Sequence, residues 1–491
     1  MIRLLGLLLL AMAMPAAAQD VRIDSGTLHG AAADGVSAFK GIPYVAPPVG
    51  PLRWHAPEAP PAWTGARDAT GFGADCMQNL FPGATGSGQP QSEDCLFLNV
   101  WTPAHPKGAK LPVMVWIHGG GFVGGSSALA ETDGARLAKR GVVVVSFNYR
   151  LGRFGFFAHP ALTAGREGGN WGLLDQIAAL RWVQRNVAAF GGDPGNVTIL
   201  GESAGGESVI RLMASPAARG LFAKAIASSG GGRDAWPNVA TAEAKGAAFA
   251  AKAGAGDLAA LRALPAATVL GGINLLNKED AIYSGPITDG AIVPANADRQ
   301  FAQGAEARVP AIIGNNDDEL GFVPAAFLPM LNGPALTALG AKAEAVEAAY
   351  GTPENATRHV AGDVMFTEPA LAIATRHAKQ APTWLYRFGY VAAAKRKPGM
   401  GAGHATDVIF QFDNLAHADF AATAEDQAVA RRIADYWVNF ARTGDPDGAG
   451  QPRWTRLDPK APAMLVIGAD PKMAPAASPA LTAISAARDG N

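Results

Sequence analysis

Ser203 stands between two glycines in "LGESAGG" (200–206), at the end of a short apolar run. A serine hydroxyl attacks a carbonyl only if a base removes its proton and fixed donors hold the oxyanion that forms. Both helpers have candidates here. "WIHGGGF" (116–122) follows an apolar run, and its three glycines leave bare backbone N–H groups to face a substrate oxygen. The expected donors are the N–H groups of Gly120, Gly121 and Ala204. The same glycines could suggest a phosphate loop, but "GGGFVGG" lacks the Lys-Ser/Thr that would hold nucleotide and magnesium. When a Gly-x-Ser-x-Gly serine sits on a strand-to-helix turn, acid and base follow it in the order acid, then histidine. Four histidines follow Ser203. His359 and His377 lie in charged, helix-like stretches and read as surface residues, and His417 in "NLAHADF" is again helix-like. His404, in the small-residue loop "GMGAGHATD", is the expected base. The acid is expected just past a strand, where "AIIGNNDDELGF" offers Asp317, Asp318 and Glu319. Position alone does not separate the three. His118 precedes the nucleophile and reads as a side chain that shapes its loop.

Elements that could position these groups run from about residue 110 onward. "LPVMVWIH" (111–118) and "GVVVVSFNY" (141–149) are apolar at successive positions, as in strands buried on both faces. "NWGLLDQIAALRWVQRNVAAF" (170–190) carries apolar residues at helical spacing and stops at "GGDPG". "NVTIL" (196–200), "KAIASSG" (224–230), "VPAIIGNN" (309–316) and "TWLYRFGY" (383–390) supply further strands. Alternating strands and helices imply an α/β fold, with a central, mostly parallel sheet covered by helices on both faces. Ser203 then follows a strand and begins a helix, on a sharp turn. The Ala-rich stretches 237–275 and 323–380 read as helical insertions that cap the active-site end of one domain spanning 19–491.

The first residues, "MIRLLGLLLLAMAMPAAAQD", join an early Arg3 to an apolar stretch and small residues. They read as a secretory signal over 1–18, cleaved after Ala18, so the protein is expected in the periplasm or outside the cell. The apolar run is too short to span a bilayer, and no stable membrane insertion is expected. With 41 Lys+Arg against 42 Asp+Glu, the net charge of −1 gives no reason to expect a nucleic-acid partner. Cys76 and Cys95 are the 2 cysteines, and an even pair in an exported chain reads as a disulfide. Neither a cofactor nor a metal is expected, since no His/Cys/Asp group has ligand spacing. Composition does not fix an oligomeric state.

Together these residues give the chain a resemblance to the type B carboxylesterases, the α/β-hydrolases that include cholinesterases and many bacterial esterases. "FGGDPGNVTILGESAGG" (190–206) resembles the serine signature over its whole length, and "EDCLFLNVWTP" (93–103) resembles the second signature. "NYRLGRFGF", "GLLDQ" and "ALRWVQRN" fit as well. The resemblance implies an α/β-hydrolase fold and hydrolysis of small carboxylic esters through an acyl-enzyme. It selects Glu319, in "DELGF", as the acid, and it supports His404, Gly120, Gly121 and Ala204. It adds Glu202 and Ser229 as neighbours of the catalytic groups. It also implies ion pairs Arg53–Glu93 and Arg150–Asp175, a disulfide between Cys76 and Cys95, and an acyl pocket walled by Trp236 with Phe122.

The chain departs from its relatives inside the Cys76–Cys95 loop. Cholinesterases place a tryptophan there for the choline cation, whereas "MQNLFPGATGSGQPQSED" has none and offers only Phe81. The stretch also lacks the sustained apolar face of a lipase lid. Short-chain or aryl esters are therefore the expected substrates. The alternatives are a specialised hydrolase of one aromatic or xenobiotic ester, and a catalytically silent binding protein on the same fold.

Overall fold

Along the strand Leu111–Ile117, Val113, Val115 and Ile117 join one apolar cluster while Met114 and Trp116 join another. Successive side chains of a strand point to opposite faces, so this strand must be covered twice. The helices Trp171–Asn186 and Ala204–Ala214 cover the first face, through Leu173, Ile177, Leu180, Val209 and Met213. Ala424–Thr443 covers the second, through Val429, Ile433, Trp437 and Phe440. This last helix begins with Thr423 and Asp426 satisfying each other's backbone N–H groups, and it stops at Gly444 in the left-handed region.

The computed structural model describes residues 19–80, 86–104, 108–163, 168–233, 235–275 and 285–490. Among these, the central sheet is 13-stranded. Its parallel middle runs in the order Val143–Phe147, Leu111–Ile117, Gly192–Glu202, Lys224–Ser228, Ala311–Asn316, Thr383–Phe388 and Ala463–Ile467. The six sequence-predicted strands all lie here. Gly192–Glu202 starts four residues before "NVTIL" because its first residues already follow the neighbouring strand, with a register shift between Gly192 and Val197. Lys472–Pro475 adds an antiparallel edge.

The other edge is also antiparallel and lies upstream of the predicted strands: Gln19–Ile23, Gly26–Ala33, Val36–Pro43 and Phe97–Pro103. Ala33 pairs with Val36 around a two-residue turn in which Asp34 and Gly35 both take positive φ, 49° and 78°. That geometry matches the right-handed twist of the flanking strands.

Leu111–Ile117 and Gly192–Glu202 are neighbours, yet their chains leave in opposite directions along the sheet: the first leads to Val143–Phe147, the second to Lys224–Ser228. Loops diverging in this way open a crevice beyond the carboxyl ends of the two strands. Gly119–Gly121 and Ser203 sit at that crevice.

The stretch 237–275 holds the helices Val239–Lys252, Leu258–Arg262 and Ala266–Leu270, with Leu261 and Val269 packed in one cluster with Trp54, Phe157 and Trp171. The stretch 323–380 holds Leu328–Leu339, Ala343–Ala348, Pro353–Gly362 and Glu368–His377, and packs on the C-terminal helix Pro479–Asp489. His377 corrects a sequence expectation. It is fully buried, with Nδ1 3.0 Å from Glu306 and Nε2 2.8 Å from the Val309 carbonyl. It lies four residues after the buried Ile373, on the stripe of its helix that faces the sheet.

Two buried ion pairs tie loops to this frame. Arg150 makes two bonds to Asp175, 2.8 and 2.7 Å, and Arg53 pairs with both oxygens of Glu93. The Cys76–Cys95 disulfide closes the loop whose residues 81–85, Phe81 included, lie outside the described residues, as do residues 1–18.

Candidate active site

Ser203 has φ 56° and ψ −124°, between the strand Gly192–Glu202 and the helix Ala204–Ala214. A non-glycine residue adopts this conformation only when its surroundings impose it. The glycines around it are demanded by space. A Cβ on Gly205 would stand 2.0 Å from the Ile117 carbonyl oxygen, and one on Gly201 would stand 2.5 Å from the Gly205 backbone. The strand end is thereby pressed against the start of the helix, and Ser203 is left at the turn. Its N–H donates to the Ser228 carbonyl at 3.0 Å.

Ser203 Oγ lies 2.9 Å from His404 Nε2, and His404 Nδ1 lies 2.6 Å from Glu319 Oε2. A carboxylate only accepts, so Nδ1 carries the proton and Nε2 is free to accept the serine hydroxyl. The other Glu319 oxygen accepts from Ser229 Oγ at 2.6 Å and from the Asn316 N–H at 2.7 Å. Position in the sequence left three acids open and the family resemblance selected Glu319; the structure gives each a task. Asp317 accepts from Ala402 N at 2.7 Å, and Asp318 accepts from Gly401 N at 3.1 Å and pairs with Arg358. Both hold the backbone of the loop that carries His404, and Glu319 alone reaches the imidazole. Asn316 and Asp407 were not anticipated. Asn316 also donates its side chain to the Gly403 carbonyl, while Asp407 is buried and accepts from Gln411 at 2.7 Å. Burial first, then the nearby Glu319, push the Asp407 carboxyl up to about 6. Its spacing, three residues after His404, was the available signal.

Glu202 faces the same imidazole, with Oε1 3.3 Å from Nε2. Burial pushes the Glu202 carboxyl up to about 8. Burial also opposes a charged His404, but the carboxylates of Glu202 and Glu319 outweigh it and raise the proton affinity of the imidazole. Glu202 and His404 therefore share protons as a pair.

Gly120 and Gly121 have φ of 101° and 61°, and neither N–H donates to a protein acceptor among the described residues. Ala204 begins its helix, so its N–H has no partner within the helix. A Cβ on Gly119 would stand 3.1 Å from the Ser203 Cβ, which places this loop directly beside the serine. His118 is buried beneath the loop and stacked on Tyr149, with Nδ1 2.9 Å from the Gly119 carbonyl. Phe122 is buried edge-to-face between Phe156 and Trp236, and the Trp236 indole donates to Glu207 at 3.2 Å.

The ring of Phe366 lies 4.6 Å from the His404 ring. It belongs to a π-helical turn, Asp363–Thr367, that leads into the fully buried Glu368. Glu368 accepts from Ser485 at 2.7 Å and Arg488 at 3.0 Å, and it also pairs with Arg233.

Comparison with known proteins places nearly the whole chain in a family. The profile described as "Carboxylesterase family" matches residues 17–334 and 338–482. The chain is 37% identical to the fumonisin B1 esterase of Sphingopyxis macrogoltabida, over 91% of this chain and 87% of that one. It is 39% identical to the para-nitrobenzyl esterase of Bacillus subtilis (strain 168), over 87% and 90%. A solved PNB esterase structure superposes with a TM-score of 0.81 at 34% identity, covering 94% of this chain and 98% of that one. The fold is that of the α/β-hydrolases, and this chain belongs to the carboxylesterase family as a carboxylic ester hydrolase.

Proposed function

We propose that Ser203 is the nucleophile, His404 the general base and acid, and Glu319 the group that orients and stabilises the imidazole. Ser203 Oγ adds to the ester carbonyl as its proton passes to His404 Nε2. The oxyanion is received by the N–H groups of Gly120, Gly121 and Ala204. His404 returns the proton to the alcohol oxygen, the alcohol departs, and water then cleaves the acyl-enzyme by the same route. The observation that carries this reading is the unbroken hydrogen-bonded chain from Ser203 through His404 to Glu319. The test is p-nitrophenyl butyrate hydrolysis by Ser203→Ala, expected to fall by several orders of magnitude in a folded protein. Retention of near wild-type turnover would overturn the assignment.

The preferred substrates are short-chain or aryl esters. The acyl group lies toward Phe122 and Trp236, two rigid rings fixed against each other and against the helix that follows Ser203. The protein is exported after cleavage behind Ala18, a reading supported by the composition of its first residues. N-terminal sequencing of the secreted form should begin at Gln19; an uncut N-terminus on exported protein would contradict it.

A further inference from the structure

The peptide that joins Gly403 to His404 carries the proposed base, and both of its polar ends are held by the segment that bears Glu319. The His404 N–H donates to the Glu319 carbonyl at 3.0 Å. The Gly403 carbonyl accepts from Asn316 Nδ2 at 2.5 Å. Asn316 is the last residue of the strand Ala311–Asn316 and has no exposed surface. Its backbone N–H donates at 2.7 Å to Glu319 Oε1, the oxygen turned away from the imidazole. One residue therefore touches the acid with its main chain and the peptide of the base with its side chain.

The amide has one orientation that fits. A backbone carbonyl only accepts, so the nitrogen must face Gly403, and its other hydrogen has Asp407 Oδ1 at 3.3 Å. Asn316 is itself fixed. Its carbonyl accepts from Asn315 Nδ2 at 2.6 Å, and that amide also donates to Thr367 Oγ1 at 3.1 Å, at the end of the turn that carries Phe366. Pairing with the strand Thr383–Phe388 holds the backbone as well. The loop it grips is the yielding partner. Gly401, Ala402 and Gly403 have almost no side chain to pack, so bonds from outside must set the path of the chain.

We propose that Asn316 is a positioning residue for ester hydrolysis: by holding the Gly403–His404 peptide on the strand end that also holds Glu319, it sets where His404 Nε2 stands against Ser203 Oγ. It touches neither the ester nor the reacting atoms. The inference rests on the roles proposed above for Ser203 and His404. Without the amide, the Gly403 carbonyl loses its donor in a buried place, and the loop must shift to find another. A shift of about 1 Å in a group that moves a proton costs about 100-fold in rate.

The experiment compares kcat/KM for ethyl butyrate and p-nitrophenyl butyrate in wild type, Asn316→Ala and Asn316→Asp. The second variant keeps the shape of the side chain but turns an oxygen toward the Gly403 carbonyl. Ethanol leaves only with a proton from His404, whereas p-nitrophenoxide departs without one. A displaced base should cost the ethyl ester about 100-fold and the p-nitrophenyl ester about tenfold, so the p-nitrophenyl-to-ethyl ratio should rise about tenfold. A protein that is merely less well folded loses both activities in proportion, which leaves the ratio where it was. Ile312→Val, in the apolar part of the same strand, should likewise leave it in place. An unmoved ratio in folded Asn316→Ala or Asn316→Asp, failure of both variants to fold, or an equal rise in Ile312→Val would each overturn the proposal. Ser203→Ala is measured alongside. If it is inactive, an unmoved ratio counts against Asn316 alone; if it turns over, the roles of Ser203 and His404 fall and this inference falls with them.

Discussion

Replacing Glu202 by Gln removes a negative charge beside the base while keeping the shape of the side chain. At 3.3 Å between Glu202 Oε1 and His404 Nε2, a full charge stabilises the imidazolium by about 1.3 kcal/mol with the dielectric constant of water. With an effective value of 20 it does so by about 5 kcal/mol. Since about 1.4 kcal/mol corresponds to one pH unit, the two limits are about one and about three to four units. Burial holds the Glu202 carboxyl up to about 8, so near neutrality it carries its own proton most of the time and presents only a fraction of a full charge. The lower limit is therefore the expectation. The sign follows from the charge: without the anion, His404 loses its proton more readily. The acid limb of kcat/KM against pH reports this group in the free enzyme. In Glu202→Gln it should move to lower pH by about one unit, and the imidazole resonance of His404, followed by NMR in a Ser203→Ala background, should shift likewise. A limb that stays in place, or moves to higher pH, would show that Glu202 does not set the proton affinity of the base.

Three further outcomes are expected. Glu319→Gln should reduce kcat by orders of magnitude more than Asp317→Asn or Asp318→Asn, because only Glu319 touches the imidazole; steady-state kinetics on p-nitrophenyl butyrate ranks them, and the reverse order would reassign the acid. Gly205→Ala should destabilise the fold by about 3 kcal/mol or more, read from urea denaturation, since its methyl would meet the Ile117 carbonyl at 2.0 Å. Trp236→Ala should raise the ratio of kcat/KM for octanoyl over butyryl p-nitrophenyl esters; an unchanged ratio in folded protein would make Trp236 a packing residue.

Local chemistry made the serine turn, the glycine loop and the parallel strands readable, because each depends on residues adjacent in the chain. Glu319 depends on a meeting 85 residues apart in sequence, with His404. Three neighbouring carboxylates look alike until the loop at 401–404 engages two of them. The antiparallel edge did carry a local signal in the Asp34-Gly35 turn between alternating residues, and a reading that began at residue 110 passed over it. His377 was misjudged because its helix is charged on the outer face, while the inner face follows Ile373 and Ala374 into the sheet. Trp116 read as one more apolar residue of a buried strand. The structure does bury it at the end of that strand, edge-to-face against Phe412.

The π-helical turn that lays Phe366 over His404 depends on a distant part of the chain. Glu368, directly after that turn, is fully buried and draws partners from Ser485 and Arg488, close to the last described residue. A chain cut before Pro479 would keep Ser203, Glu319 and His404 but leave Glu368 with only Arg233 to balance a buried charge. Breaking such a network by removing partners costs several kcal/mol, and the loss would fall on the segment that carries Phe366 to the His404 ring. The helix Pro479–Asp489 thus braces, through Glu368, the turn that sets Phe366 against His404.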